Sequence, residues 1–123
     1  MPPLKILIVE DEFAPRMVWK EELEAAKLIV LQADCLKDAR ELFKSNPDIS
    51  AIIMDMNIGM FACEQTDKLV KEFRETFSGP IVAASCDFDS NALLIAAGCD
   101  YKVADGKFDA SQIVLEVLGL KSS

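Results

Sequence analysis

Lys5-Ile6-Leu7-Ile8-Val9 runs directly into Glu10-Asp11-Glu12, and this junction decides the reading of the chain. A short, fully apolar run reads as a strand buried on both faces, as in a parallel sheet. The same device recurs twice. Ala51-Ile52-Ile53-Met54 runs into Asp55, and Pro80-Ile81-Val82-Ala83-Ala84 ends at the hydroxyl of Ser85. In an open α/β sheet the working site lies beyond the carboxyl ends of the strands. Glu10, Asp11, Asp55 and Ser85 are therefore expected to converge on one edge. Crowded carboxylates are costly unless a cation neutralises them. A cation held by few protein oxygens and keeping its water makes Mg²⁺ the natural candidate.

Working outward, strand-like runs alternate with amphipathic stretches, the βαβ pattern of a parallel sheet covered by helices on both faces. Strands are expected at about 4–9, 28–33, 51–54, 80–84 and 101–103. Helices are expected at 14–26, 37–45, 63–77, 87–97 and 110–118. Pro15 falls in the first turn of the first helix, where a missing N–H is tolerated. Met17, Val18, Glu21 and Leu23 give that helix a mixed face. Leu69, Val70, Phe73 and Phe77 form a stripe at helical spacing, read as core packing. Asn46-Pro47-Asp48 and Ser78-Gly79-Pro80 are breaks, and Gly98 closes the fourth helix. Asp109 or Ser111 is placed to cap the last helix.

The 123 residues amount to one domain with room for a real core. Hydrophobic residues at 51% and charged residues at 28% describe a globular chain. A net charge of −8 argues against direct nucleic-acid binding. The apolar runs fall far short of a membrane span, and Glu10-Asp11-Glu12 interrupts anything resembling a signal peptide. The expected compartment is the cytoplasm. With no histidine in the chain, Cys₂His₂ zinc sites and Ser-His or Cys-His catalysis are excluded. Cys35, Cys63, Cys86 and Cys99 lack paired spacing and read as small hydrophobes, with a redox role open only for Cys86 beside the expected site.

Together these segments resemble the receiver domain of two-component response regulators. The resemblance is carried by Ile6-Leu7-Ile8-Val9-Glu10-Asp11-Glu12, by Ile52-Ile53-Met54-Asp55-Met56-Asn57-Ile58, by Pro80-Ile81-Val82-Ala83-Ala84-Ser85, and by Ala97-Gly98-Cys99-Asp100. It covers essentially all of the chain and implies a single receiver domain over residues 1–123 without an output domain. The implied fold is an α/β, flavodoxin-like doubly wound sheet of strand order 2-1-3-4-5 in three layers. The implied roles are Asp55 as phosphoacceptor for a sensor histidine kinase or phosphotransfer protein, and Ser85 as switch hydroxyl. Glu10 and Asp11 would position Mg²⁺, Glu10 partly through water, with Asp55 and the main-chain carbonyl of Asn57 as further ligands. Such a chain is not an enzyme, although it assists its own phosphorylation and dephosphorylation. It signals by docking a downstream protein, through the face of its fourth helix, fifth strand and fifth helix or as a relay intermediate. The chemistry is consistent, because phosphoryl transfer asks mainly for positioning and charge neutralisation.

The departures fall near the fifth strand. The family has a lysine before a proline there. Ungapped counting from Gly98 puts Asp105 and Gly106 at those positions, and Lys102 at the aromatic switch position, one residue after Tyr101. No single register restores both features. The nearest amine downstream is Lys107, and whether the Gly106 loop lets it reach back is open at this level. An aspartate in place of the lysine would weaken phosphoryl binding by about 1–3 kcal/mol. Gly59 also replaces a usual proline, and Glu12 reads as a solvated helix-start charge. The competing reading is a pseudo-receiver, an interaction module that is not usefully phosphorylated. A flavin-binding or enzymatic flavodoxin-like protein is disfavoured, because Glu10-Asp11-Glu12 would repel a phosphate.

Overall fold

Side-chain alternation along each strand sorts the core into two layers. The computed structural model describes residues 3–56, 63–85, 88–104 and 106–120, the side chains of 63–65 and 88 apart. Strands β1 (Lys5–Val9), β2 (Ile29–Ala33), β3 (Ile49–Met54), β4 (Ile81–Ala83) and β5 (Tyr101–Lys102) form one parallel sheet in the order β2-β1-β3-β4-β5. Neighbouring residues on a strand face opposite ways. Leu7, Val9, Ile52, Met54, Ile81 and Ala83 accordingly share one core. Ile6, Ile8, Ala51, Ile53 and Val82 share the other.

Each core has its own helices. Ala39 of α2 (Leu36–Ser45), Leu69, Val70 and Phe73 of α3 (Cys63–Arg74), and Leu94 and Ala97 of α4 (Phe88–Ala97) close the first. Trp19 and Leu23 of α1 (Phe13–Ala25), and Ala110, Val114 and Leu115 of α5 (Ala110–Val117), close the second. This is the doubly wound, flavodoxin-like arrangement expected from the sequence. Fully buried Ile, Leu and Phe side chains each contribute about 1.5–3 kcal/mol, so the sheet is held rigidly from both sides.

The element bounds differ from expectation in physically simple ways. β3 starts at Ile49, two residues early, because Lys5 pairs with Ile49 before a register shift at Lys5/Ile6. β4 excludes Pro80, which has no N–H to give the ladder, although its carbonyl accepts from the Ile52 N–H at 3.0 Å. α3 ends at Arg74, yet Phe77 still packs edge-on against Phe43. In α1 the buried residues are Pro15, Trp19 and Leu23. Neither proposed cap of α5 works as one: Asp109 makes no side-chain cap bond, and the Ser111 hydroxyl donates to Glu22 of α1 at 3.0 Å. Cys35 caps α2, accepting the Asp38 N–H at 3.4 Å, and burial pushes the Cys99 thiol up to about 12. Among the described residues no helix is long and apolar enough to cross a membrane.

Candidate functional site

Strand register delivers the acidic residues to one edge. Val9 of β1 lies opposite Met54 of β3, so the next residues, Glu10 and Asp55, leave the sheet side by side. The ladder holds them in place. The Asp55 N–H donates to the Val9 carbonyl at 3.1 Å, the Glu10 N–H to the Ala33 carbonyl at 3.0 Å, and the Ala84 N–H to the Met54 carbonyl at 2.9 Å. Arg16 of α1 adds a bond to the Glu10 carbonyl at 3.0 Å. Carboxylate oxygens of Glu10, Asp11 and Asp55 lie within 4.8 Å of one another. Glu10 and Asp55 are buried, and Asp11 is exposed. Ser85 is buried at the end of β4, and its main chain is clamped on both sides by Asn91 of α4. The Ser85 N–H donates to Asn91 Oδ1 at 2.8 Å, and Asn91 Nδ2 donates to the Ser85 carbonyl at 2.9 Å. Asn57, the expected carbonyl ligand, lies outside the described residues, as do Gly59, Cys86 and Asp105.

The sequence leaves open whether Lys107 can reach back to the site, and the structure places it there. Its ammonium lies 2.6 Å from Glu10 Oε1, 3.1 Å from Glu12 Oε1 and 3.3 Å from Asp55 Oδ2. The backbone explains how. Gly106 has φ 147° and ψ 156°, a conformation nearly confined to glycine. It turns the chain from β5 into the short 3-10 turn Lys107–Asp109, which carries the side chain back over the strand ends. The expected effect of an aspartate at the lysine position falls on Asp105, outside the described residues, while Lys107 brings an amine to the site. Glu12 is the exposed helix-start charge expected at the N-cap of α1, and it also pairs with Lys107. On β5, Tyr101 pairs with Val82 and Lys102 with Ala83, both exposed.

The electrostatics follow from burial. Burial pushes the Glu10 carboxyl up to about 8; the Lys107 hydrogen bond opposes this, and the Asp55 charge reinforces it. Burial works against the charged form of Lys107, but the Glu10 hydrogen bond and the charges of Asp55 and Glu10 outweigh it and raise its pKa. The residues also suit a hard divalent cation, being a cluster of carboxylate oxygens with too little positive charge of its own. Glu10 Oε1 is engaged by Lys107 and Oε2 by the Glu12 N–H at 3.2 Å. Asp11 and Asp55 are therefore the carboxylates that could ligate such a cation directly.

Two residues that hydrogen-bond the main chain beside the site were missed by sequence reasoning. Trp19 is fully buried, and its indole N–H donates to the Lys107 carbonyl at 2.8 Å. An indole on a helix reads as packing, and its partner is a main-chain atom 88 residues away, which no side-chain pattern reveals. Asn91 gives only a faint signal, a polar residue on a helix whose neighbours include Ala92, Leu93 and Leu94.

No family model matches the sequence, and neither does any curated protein. The likeness is three-dimensional. A two-component response regulator from Clostridium difficile superposes with a TM-score of 0.77 at 19% identity, over 94% of this chain and 96% of that one. A response regulator from Thermotoga maritima gives 0.73 at 17% identity, over 96% and 99%. The fold is that of a response regulator receiver domain. A response regulator from Burkholderia pseudomallei, solved with a phosphorylated aspartic acid, a calcium ion and citrate, shares the receiver fold at a TM-score of 0.77 and 15% identity, over 93% of this chain and 66% of that one.

Proposed function

We propose that this chain is a phosphoacceptor receiver of a two-component system, with Asp55 as the acceptor. The observation that carries the reading is the buried Asp55 carboxylate, 3.3 Å from the Lys107 ammonium and grouped with Glu10 and Asp11 at the end of the sheet. In this reading an Asp55 oxygen attacks the phosphorus of a phosphohistidine on a sensor kinase or phosphotransfer protein. The P–O bond forms as the P–N bond breaks, and the histidine nitrogen leaves with the electron pair and takes up a proton. Lys107 meets the incoming negative charge with a charge-assisted hydrogen bond. Asp11, Asp55 and the Asn57 carbonyl would hold Mg²⁺, with Glu10 acting partly through water, and the ion would supply further neutralisation of the phosphoryl oxygens. Ser85 offers its hydroxyl at the neighbouring strand end, held there by Asn91. The protein works in the cytoplasm as a signalling partner and not as an enzyme, and it passes its state to a downstream protein by contact.

The pseudo-receiver alternative drew its main support from Asp105-Gly106 in place of the family's Lys-Pro, and the Lys107 ammonium 3.3 Å from Asp55 Oδ2 weighs against it. The test is intact mass after incubation with a small-molecule phosphodonor and Mg²⁺, beside Asp55→Asn. A phosphoryl increment on the parent and none on the variant is expected. No increment on a parent that still binds Mg²⁺ would favour the pseudo-receiver.

A further inference from the structure

Lys107 hangs on a turn with two kinds of anchor. The local one is the 3-10 bond from the Ala110 N–H to the Lys107 carbonyl, which moves with the turn. The other comes from a different element: the Trp19 indole N–H donates to the same carbonyl at 2.8 Å, inside the core between α1 and α5. Three residues further along α1, on the same helical face, Glu22 accepts from the Ser111 hydroxyl at 3.0 Å and from the Gln112 amide. Helix α1 thus grips the turn and α5 at two successive levels. Upstream, Gly106 leaves the turn a backbone with unusual conformational freedom. A lysine stem is flexible. Three carboxylates can hold its ammonium only if the Cα it hangs from stays in place.

We propose that Trp19 is a positioning residue for the acidic pocket, its indole N–H fixing the Lys107 main chain so that the ammonium stays between Glu10, Glu12 and Asp55. The functional meaning of this rests on the receiver reading. The indole is the chain's only tryptophan, and it does more than fill volume. An apolar ring of similar size would keep the core and drop the indole's hydrogen bond from α1 to the lysine turn.

The test is the acetylation rate of each lysine in the full chain, followed by peptide mass spectrometry in metal-free buffer. The variants are Trp19→Phe and an isosteric replacement of the indole by benzothiophene, which removes the N–H and little else. Val114→Ala serves as control, since it weakens the same core without touching the bond. The Lys107 rate is expected to rise about five- to tenfold in both N–H-deficient proteins, the scale of one buried hydrogen bond. Lys20 and Lys27 should keep their rates, and Val114→Ala should leave Lys107 slow. A parent-like Lys107 rate in the benzothiophene protein, or an equal rise in Val114→Ala, would overturn the proposal. The readout uses no phosphodonor, so a failure of Asp55 to accept a phosphoryl group would show in the mass experiment and leave this result unchanged.

Discussion

At the amino edge of the sheet Arg74 meets three carbonyls and one carboxylate, whereas at the carboxyl edge Lys107 meets three carboxylates. Arg74 donates to the carbonyls of Gly98 at 2.8 Å, Phe77 at 3.1 Å and Gly79 at 2.6 Å, and to Asp100 Oδ2 at 2.5 Å. Asp100 Oδ2 also accepts the Ile81 N–H at 3.0 Å, so this clasp seals the loops leading into β4 and β5 with charge balanced one to one. A Cβ on Gly98, which has φ 134°, would come within 2.9 Å of the Arg74 stem. The carboxyl edge is built the other way. One ammonium faces Glu10, Glu12 and Asp55, with Asp11 close by, and the pocket stays net negative. Charge that is locally matched holds a fold together. Buried charge left in excess marks a place where something else binds.

Removing each cation in turn tests that contrast. Lys107→Met leaves Glu10 and Asp55 buried without their partner, and breaking a buried ion pair costs about 3–5 kcal/mol. Denaturant titrations in metal-free buffer should show a loss of that size. Millimolar Mg²⁺ should recover most of it, because a divalent cation can take over the neutralisation. If Mg²⁺ recovers nothing, the carboxyl edge is another structural clasp and the contrast collapses.

Arg74→Met is the counterpart and the smaller effect. Three carbonyls and Asp100 lose a donor, but all sit near solvent, so the expected loss is about 2–3 kcal/mol. Mg²⁺ should restore none of it, and isothermal titration should give the parent's Mg²⁺ affinity. A change in that affinity would mean the two edges are coupled through the sheet.

How far the sequence discloses each edge differs for a physical reason. The acidic residues of the carboxyl edge follow apolar strands, and register alone carries Glu10, Asp11, Asp55 and Ser85 to one place, so they are legible by inspection. Sheet order and the two helical layers follow from the same alternation. Lys107 is only half legible. A count along the chain assumes a regular backbone, and Gly106 breaks that regularity by adopting φ 147°. Trp19 and Asn91 act through main-chain atoms, Trp19 on a carbonyl 88 residues away, and Arg74 does so for three of its four bonds. Main-chain acceptors have no identity in a sequence, so such tethers become visible only in three dimensions.

The smallest effect is a pH signature that differs between the two edges. Burial raises the Glu10 carboxyl from its ordinary 4.5 to about 8. A carboxyl raised on folding lends stability below its ordinary pKa and loses it as pH climbs through the raised one. In metal-free buffer, parent thermal stability should therefore fall relative to Glu10→Gln between about pH 5 and pH 9, by about 1–3 kcal/mol. At the amino edge the Lys5 hydrogen bond lowers the exposed Asp48 carboxyl below its ordinary 3.8. Its contribution is present above that value and fades only on acidification, so parent and Asp48→Asn should differ by a constant over the same range. Parallel curves for Glu10→Gln and parent would mean that Lys107 already holds Glu10 fully ionised, and that the excess negative charge of the pocket rests on Asp55 and Asp11.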